Sequence, residues 1–110
     1  MSAASAWLVL LIAGLCEIGW AVGLKYTEGF SRLWPSVGTF VAMVASVVLL
    51  GWSLKVLPLG TAYAVWTGIG AAGTVIVGIA VYGEPATAIS VLLLAGLVAC
   101  IAGLKLFAPE

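Results

Sequence analysis

The residue with the most chemistry to offer is Glu17, in Ala13-Gly-Leu-Cys-Glu-Ile-Gly-Trp20, because it breaks an otherwise apolar run from Trp7 to Leu24. An acidic side chain near the middle of a bilayer-spanning helix is unfavourable by roughly 2.5 to 3.5 kcal/mol on insertion scales, so it marks a functional site by default. Low dielectric disfavours the charged form of a carboxyl, which lets such a group exchange protons near neutral pH. If a proton and an organic cation exclude one another at that carboxylate, and the site opens to one side at a time, a proton gradient can drive cation efflux. The plainer reading, a Glu that only hydrogen-bonds a neighbouring helix, is weakened because no basic residue lies at a similar depth. In a helix, Ala13, Gly14, Trp20 and Ala21 are the three- and four-residue neighbours of Glu17. Ala13 and Gly14 are therefore expected to form a pocket wall, with the Trp20 indole on the other side.

Other candidates gather around this residue. Ser46 is the hydroxyl nearest the middle of the second apolar run and could bond a carboxylate; a hydroxyl satisfied by a carbonyl one turn back in its own helix is the equally weighted alternative. Tyr63 and Trp66, three apart, share a face and could line a cation site. An interfacial aromatic belt is the competing role, more so for Tyr63, which lies within about 10 Å of its helix start. Gly68, Gly70 and Gly73 follow, each less favourable in a helix than Ala by roughly 1 kcal/mol. They mark either a hinge between two access states or points of close helix packing. Cys16 and Cys100 stand alone, without the spacing of a redox or metal motif. With no His, no Ser/His/Asp set and no Gly-Lys-Ser/Thr loop, the sequence offers no metal site, no triad and no phosphate cradle. No cofactor is expected, and enzymatic chemistry is not.

The elements that must position these residues follow from composition. Of 110 residues, 65% are hydrophobic and 7% charged, against about 25% charged in soluble domains. The eight charges, Glu17, Lys25, Glu28, Arg32, Lys55, Glu84, Lys105 and Glu110, punctuate uncharged runs near the roughly 20 residues a transmembrane helix requires. Runs of this length exceed a barrel strand of about 9 to 11 residues, and a helix pairs its own backbone groups in hydrocarbon. A cleavable signal peptide is a poor description of the first run, since nothing basic precedes it except the amino terminus. Pro35, Pro58 and Pro85 fall where new helices open. The expected spans are 6–25, 33–54, 58–81 and 86–106, forming one all-α domain over residues 1–110, an integral membrane bundle of four transmembrane helices. Short links make successive helices antiparallel.

That topology places Lys55 and Lys105 on one side and Lys25 and Arg32 on the other, so the positive-inside bias is balanced. Chance explains such a balance as readily as dual insertion does. Four short helices can nevertheless hardly enclose a pathway and hide Glu17 from lipid, and an inverted copy of the same chain could complete it. An antiparallel homodimer is the resulting expectation. In it, Tyr63 of one copy would approach the depth of Glu17 in the other. Ala95, Gly96, Ala99, Cys100, Ala102 and Gly103 form small-residue rows on the fourth helix that suit association. Lys25 and Lys105 are expected to snorkel to the interface.

Length, four spans, Glu17-Ile-Gly-Trp20-Ala-Val-Gly-Leu-Lys25-Tyr and Pro58 to Gly70 together resemble the small multidrug resistance family of bacterial transporters. The resemblance covers nearly the whole chain. Trp20 one turn after Glu17, with Ala62-Tyr-Ala-Val-Trp-Thr-Gly-Ile-Gly70, is similar to the guanidinium exporter subtype. It implies a dual-topology dimer in the bacterial inner membrane whose glutamates bind proton or cation in turn. By the same resemblance, Glu17 is the proton- and substrate-binding carboxylate. Trp20, Ser46 and Tyr63 hold the glutamates, and Trp66 lines the site. A broad exporter of lipophilic or quaternary ammonium cations is the same-fold alternative. A non-transporting membrane subunit, using Glu17 and its glycines only for assembly, is the alternative from another class.

Overall fold

A computed structural model of the chain describes residues 1–107; Glu110, counted among the charges above, lies outside the described residues. Its helices are α1 (Ala3–Tyr26), α2 (Leu33–Ser53), α3 (Leu59–Tyr82) and α4 (Ala88–Leu106), each long and apolar enough to cross a membrane. The boundaries differ from expectation where caps decide them. Ser2 Oγ accepts the Ser5 N–H at 3.1 Å, so α1 opens at Ala3 rather than at residue 6. Thr87 Oγ accepts the Ser90 N–H at 3.1 Å and moves the start of α4 to Ala88. Pro58 is the extended residue before α3 rather than its first helical residue. Hydroxyl caps of this kind satisfy amide groups that have no partner inside the helix.

The turn after α1 uses three consecutive left-handed residues, Glu28, Gly29 and Phe30, at φ 50°, 72° and 66°. Buried Thr27 ties it down: its hydroxyl donates to the Leu24 carbonyl at 2.9 Å and accepts the Phe30 N–H at 3.2 Å. The reversal is therefore fixed by side-chain bonding as well as by Gly29.

The helices follow the order α2, α1, α3, α4, with a lighter contact between α2 and α3, and α4 packs mainly on α3, its Lys105 Nζ lying 5.0 Å from the Trp7 ring centroid of α1. The resulting slab measures 42 × 36 × 17 Å, and among the described residues α4 makes no helix packing with α2. The single chain is thus not closed around a common axis as a bundle would be. Ala6, Trp7, Leu10, Leu57, Ala62 and Val65 form its core, with Leu50, Leu54, Trp66, Ile69 and Ile101 packed around them. Ala6, Ala13 and Ala62 are fully enclosed, and such small side chains let α1 approach both neighbours closely. No residue of α4 is buried among the described residues.

Candidate functional site

Glu17 projects from α1 toward α3. Its carboxylate rests against Gly70, where any Cβ would collide with it. Oε2 is buried with no hydrogen-bond partner among the described residues. The space beside it is an open cleft of about 360 Å³, walled by Glu17 and Ala21 of α1 and by Thr67, Gly70, Ala71, Thr74 and Val75 of α3. Thr74 spends its hydroxyl proton on the Gly70 carbonyl, 2.7 Å away and one turn back in the same helix. Apart from the Thr67 hydroxyl the rest of the lining is apolar, so a ligand entering the cleft meets one carboxylate and one threonine.

Trp20, one turn after Glu17, is half-buried, and its Nε1–H is also enclosed without a partner among the described residues. A buried donor or acceptor left unpaired costs roughly 1 to 3 kcal/mol. Two such groups of opposite hydrogen-bonding sense, an acceptor and a donor, therefore lie one turn apart on α1. Thr39 Oγ1 is the third unpartnered polar atom, enclosed where α2 presses on Gly23 of α1.

Ser46 is fully satisfied elsewhere. Its hydroxyl donates to the Ala13 carbonyl at 2.7 Å and accepts the Trp66 Nε1–H at 2.9 Å. This bridge joins α2, α1 and α3 and includes no atom of Glu17. Neither a bond to Glu17 nor one to a carbonyl of its own helix is formed; the small Ala13 side chain exposes the α1 backbone to Ser46 instead. Tyr63 packs on Trp66 with ring centroids 5.7 Å apart, and its own side chain is 55% exposed on the outer surface of the slab. Within one chain it is not a wall of the Glu17 cleft.

Within one chain Ala13 and Gly14 do not line the Glu17 cleft. Both are buried in helix contacts, and a Cβ on Gly14 would meet Ile69 Cγ2 at 2.7 Å. They occupy the side of α1 that α2 and α3 cover, and the cleft opens past Ala21. The three glycines considered for a hinge each receive a side chain: Gly68 takes Ile101, Gly70 takes Glu17 and Gly73 takes Ile18. The helix through them is continuous from Leu59 to Tyr82. Thr67, Ala71 and Thr74 escaped the sequence reading, although Gly70, Thr74 and Gly78 recur every four residues and share one face. Among the described residues, no group of three or more His, Cys, Asp or Glu side chains could hold a metal ion.

Residues 5–98 match the family model described as small multidrug resistance protein. Relatives named guanidinium exporter include those of Salmonella typhi, 61% identical over 93% of this chain and 97% of its own, and Yersinia pestis, 60% identical over 92% and 97%. That of Citrobacter freundii is 58% identical over 91% and 95%. With four membrane-spanning helices and a match over most of its length, the chain belongs to the small multidrug resistance family, as a multi-pass protein of the bacterial inner membrane.

Proposed function

We propose that this chain is one transporter domain that exports guanidinium in exchange for protons, working as an antiparallel, dual-topology homodimer. The observation that carries the reading is the buried, unpartnered Glu17 Oε2 beside an open cleft, with a second unpartnered atom, Trp20 Nε1, one turn away on α1, in a slab 17 Å thick. Glu17 holds either a proton or the substrate, and alternation between the two couples their fluxes. A guanidinium ion presents parallel N–H donors that match both carboxylate oxygens. It stays protonated at physiological pH, as the Arg head group does. Trp20, unpaired within one chain, supplies a donor to the carboxylate once the inverted copy is in place, and Trp66 and Tyr63 supply aromatic surface worth about 0.5 to 2 kcal/mol to a cation. An inverted copy would cover the exposed face of Tyr63 and bring a second Glu17 to the site. The identity of 58–61% to relatives named guanidinium exporter favours this substrate over bulky lipophilic cations.

The test is uptake driven by a pH gradient in liposomes, comparing guanidinium with tetraphenylphosphonium. Guanidinium movement by the wild-type chain and none by E17Q is the expected result. Movement of the bulky cation alone would replace guanidinium as the substrate, and guanidinium transport that survives E17Q would remove the carboxylate from the mechanism.

A further inference from the structure

A second polar cluster lies farther along the α1–α3 seam. Glu17, Ala21 and Lys25 recur every four residues on α1, as do Gly70, Thr74, Gly78 and Tyr82 on α3, so each set follows one helix face. Ala21 and Thr74 line the Glu17 cleft and also a smaller cavity of about 110 Å³, walled further by Val22, Lys25, Val77, Gly78, Tyr82 and Glu84. The two spaces share a boundary at Ala21 and Thr74. Gly78 is two turns beyond Gly70, about 12 Å at 1.5 Å per residue.

Glu84 repeats in the smaller cavity the seating of Glu17 in the larger. Each carboxylate rests against an α3 glycine, Gly70 or Gly78, where a Cβ would collide with it. The local fold puts Glu84 there: Gly83 ends α3 at φ 66°, and the Glu84 N–H donates to the Gly78 carbonyl at 3.1 Å. This folds the next residue back over the last turn. Tyr82 closes the end of the seam, its hydroxyl bonded to that of Tyr26. Lys25 Nζ lies 4.8 Å from the Tyr82 ring centroid. Lys25 and Glu84 thus share one cavity, and the ammonium is drawn to the ring face.

We propose that Glu84 and Tyr82 form an outer station for a small organic cation at this end of the seam, with Lys25 as the tethered cation that the ligand displaces. The proposal rests on the cation-export reading of Glu17. A carboxylate accepts paired N–H donors here as it does at Glu17, and a cavity of about 110 Å³ selects a small planar ion over a bulky one. Glu84 is exposed, so the hold is weak and release is fast, as a station between the cleft and water requires.

Guanidinium uptake into liposomes by wild type, E84Q and K25M tests the idea, since the two variants act in opposite directions. E84Q raises the KM about two- to fivefold, the scale of one exposed ion pair, and K25M lowers it. Shifts in the same direction, or none in either variant, overturn the station. In parallel, guanidinium is titrated into E17Q while the amide NMR signals of Gly78 and Gly83 are followed. A saturable shift that disappears in E17Q/E84Q supports the station; unmoved signals, or shifts that persist in the double variant, refute it. Failure of the Glu17 reading is seen separately, as wild-type liposomes that take up no guanidinium, and the titration still decides the outer station.

Discussion

The Ser46 bridge and the Glu17–Trp20 pair both lie within the first three helices and differ in one respect. In the Ser46–Ala13–Trp66 bridge each recorded donor meets an acceptor, and the bonds tie three helices together. At Glu17 and Trp20 a buried acceptor and a buried donor have no partner among the described residues. Native proteins pair nearly all buried polar groups, so those left unpaired call for an explanation. The first cluster is finished within one chain and holds the slab together. The second is unfinished, which fits a site whose partners are a ligand and a second copy.

Substitutions can break or sharpen this contrast. The largest effect is expected from E17Q, which abolishes guanidinium-coupled proton movement in liposomes while leaving the protein folded in detergent, as circular dichroism would report. Next comes G70A. Its Cβ would collide with the Glu17 carboxylate, and overpacking costs about 1 to 3 kcal/mol, so transport falls about tenfold or more. G73A, whose Cβ would meet the apolar Ile18 side chain instead of a carboxylate, is the control: it changes thermal stability and leaves proton coupling intact. Equal losses of coupling in both glycine variants would mean that Gly70 is only a packing position.

Trp20→Phe removes the indole N–H and keeps an aromatic ring. It is expected to lower discrimination between guanidinium and methylated ammonium ions, measured by competition for uptake, and unchanged discrimination would count against the N–H. The smallest effect on transport belongs to S46A. It strands the Trp66 N–H and lowers stability by about 1 to 3 kcal/mol in a denaturation experiment. A loss of guanidinium affinity exceeding that loss of stability would erase the distinction between the two clusters.

The spans were legible because charges and prolines punctuate a uniformly apolar chain, and Glu17 was legible because a carboxylate is conspicuous there. The hydroxyls of Ser2 and Thr87 were the missed boundary signals. The order of the helices was not legible, since helices apolar on all sides carry no stripe that names a neighbour. The same gap hides what covers Ala13 and Gly14: spacing places them beside Glu17, and only the docking of Ile69 onto Gly14 shows that this side of α1 is covered within one chain. Thr67, Ala71 and Thr74 became walls of the cleft through the crossing of α1 and α3, a tertiary fact. Ser46 was found as a residue with a job, but its partner is a backbone carbonyl made reachable by a small side chain on another helix.

The central claim is that one carboxylate is shared in turn by proton and cation. Its most direct measurement is proton release on guanidinium binding, followed with a pH indicator in weakly buffered detergent solution. Wild-type protein is predicted to release protons saturably as guanidinium is added, and E17Q to release none. Saturable guanidinium binding without proton release by the wild type, or equal release by E17Q, would contradict the account.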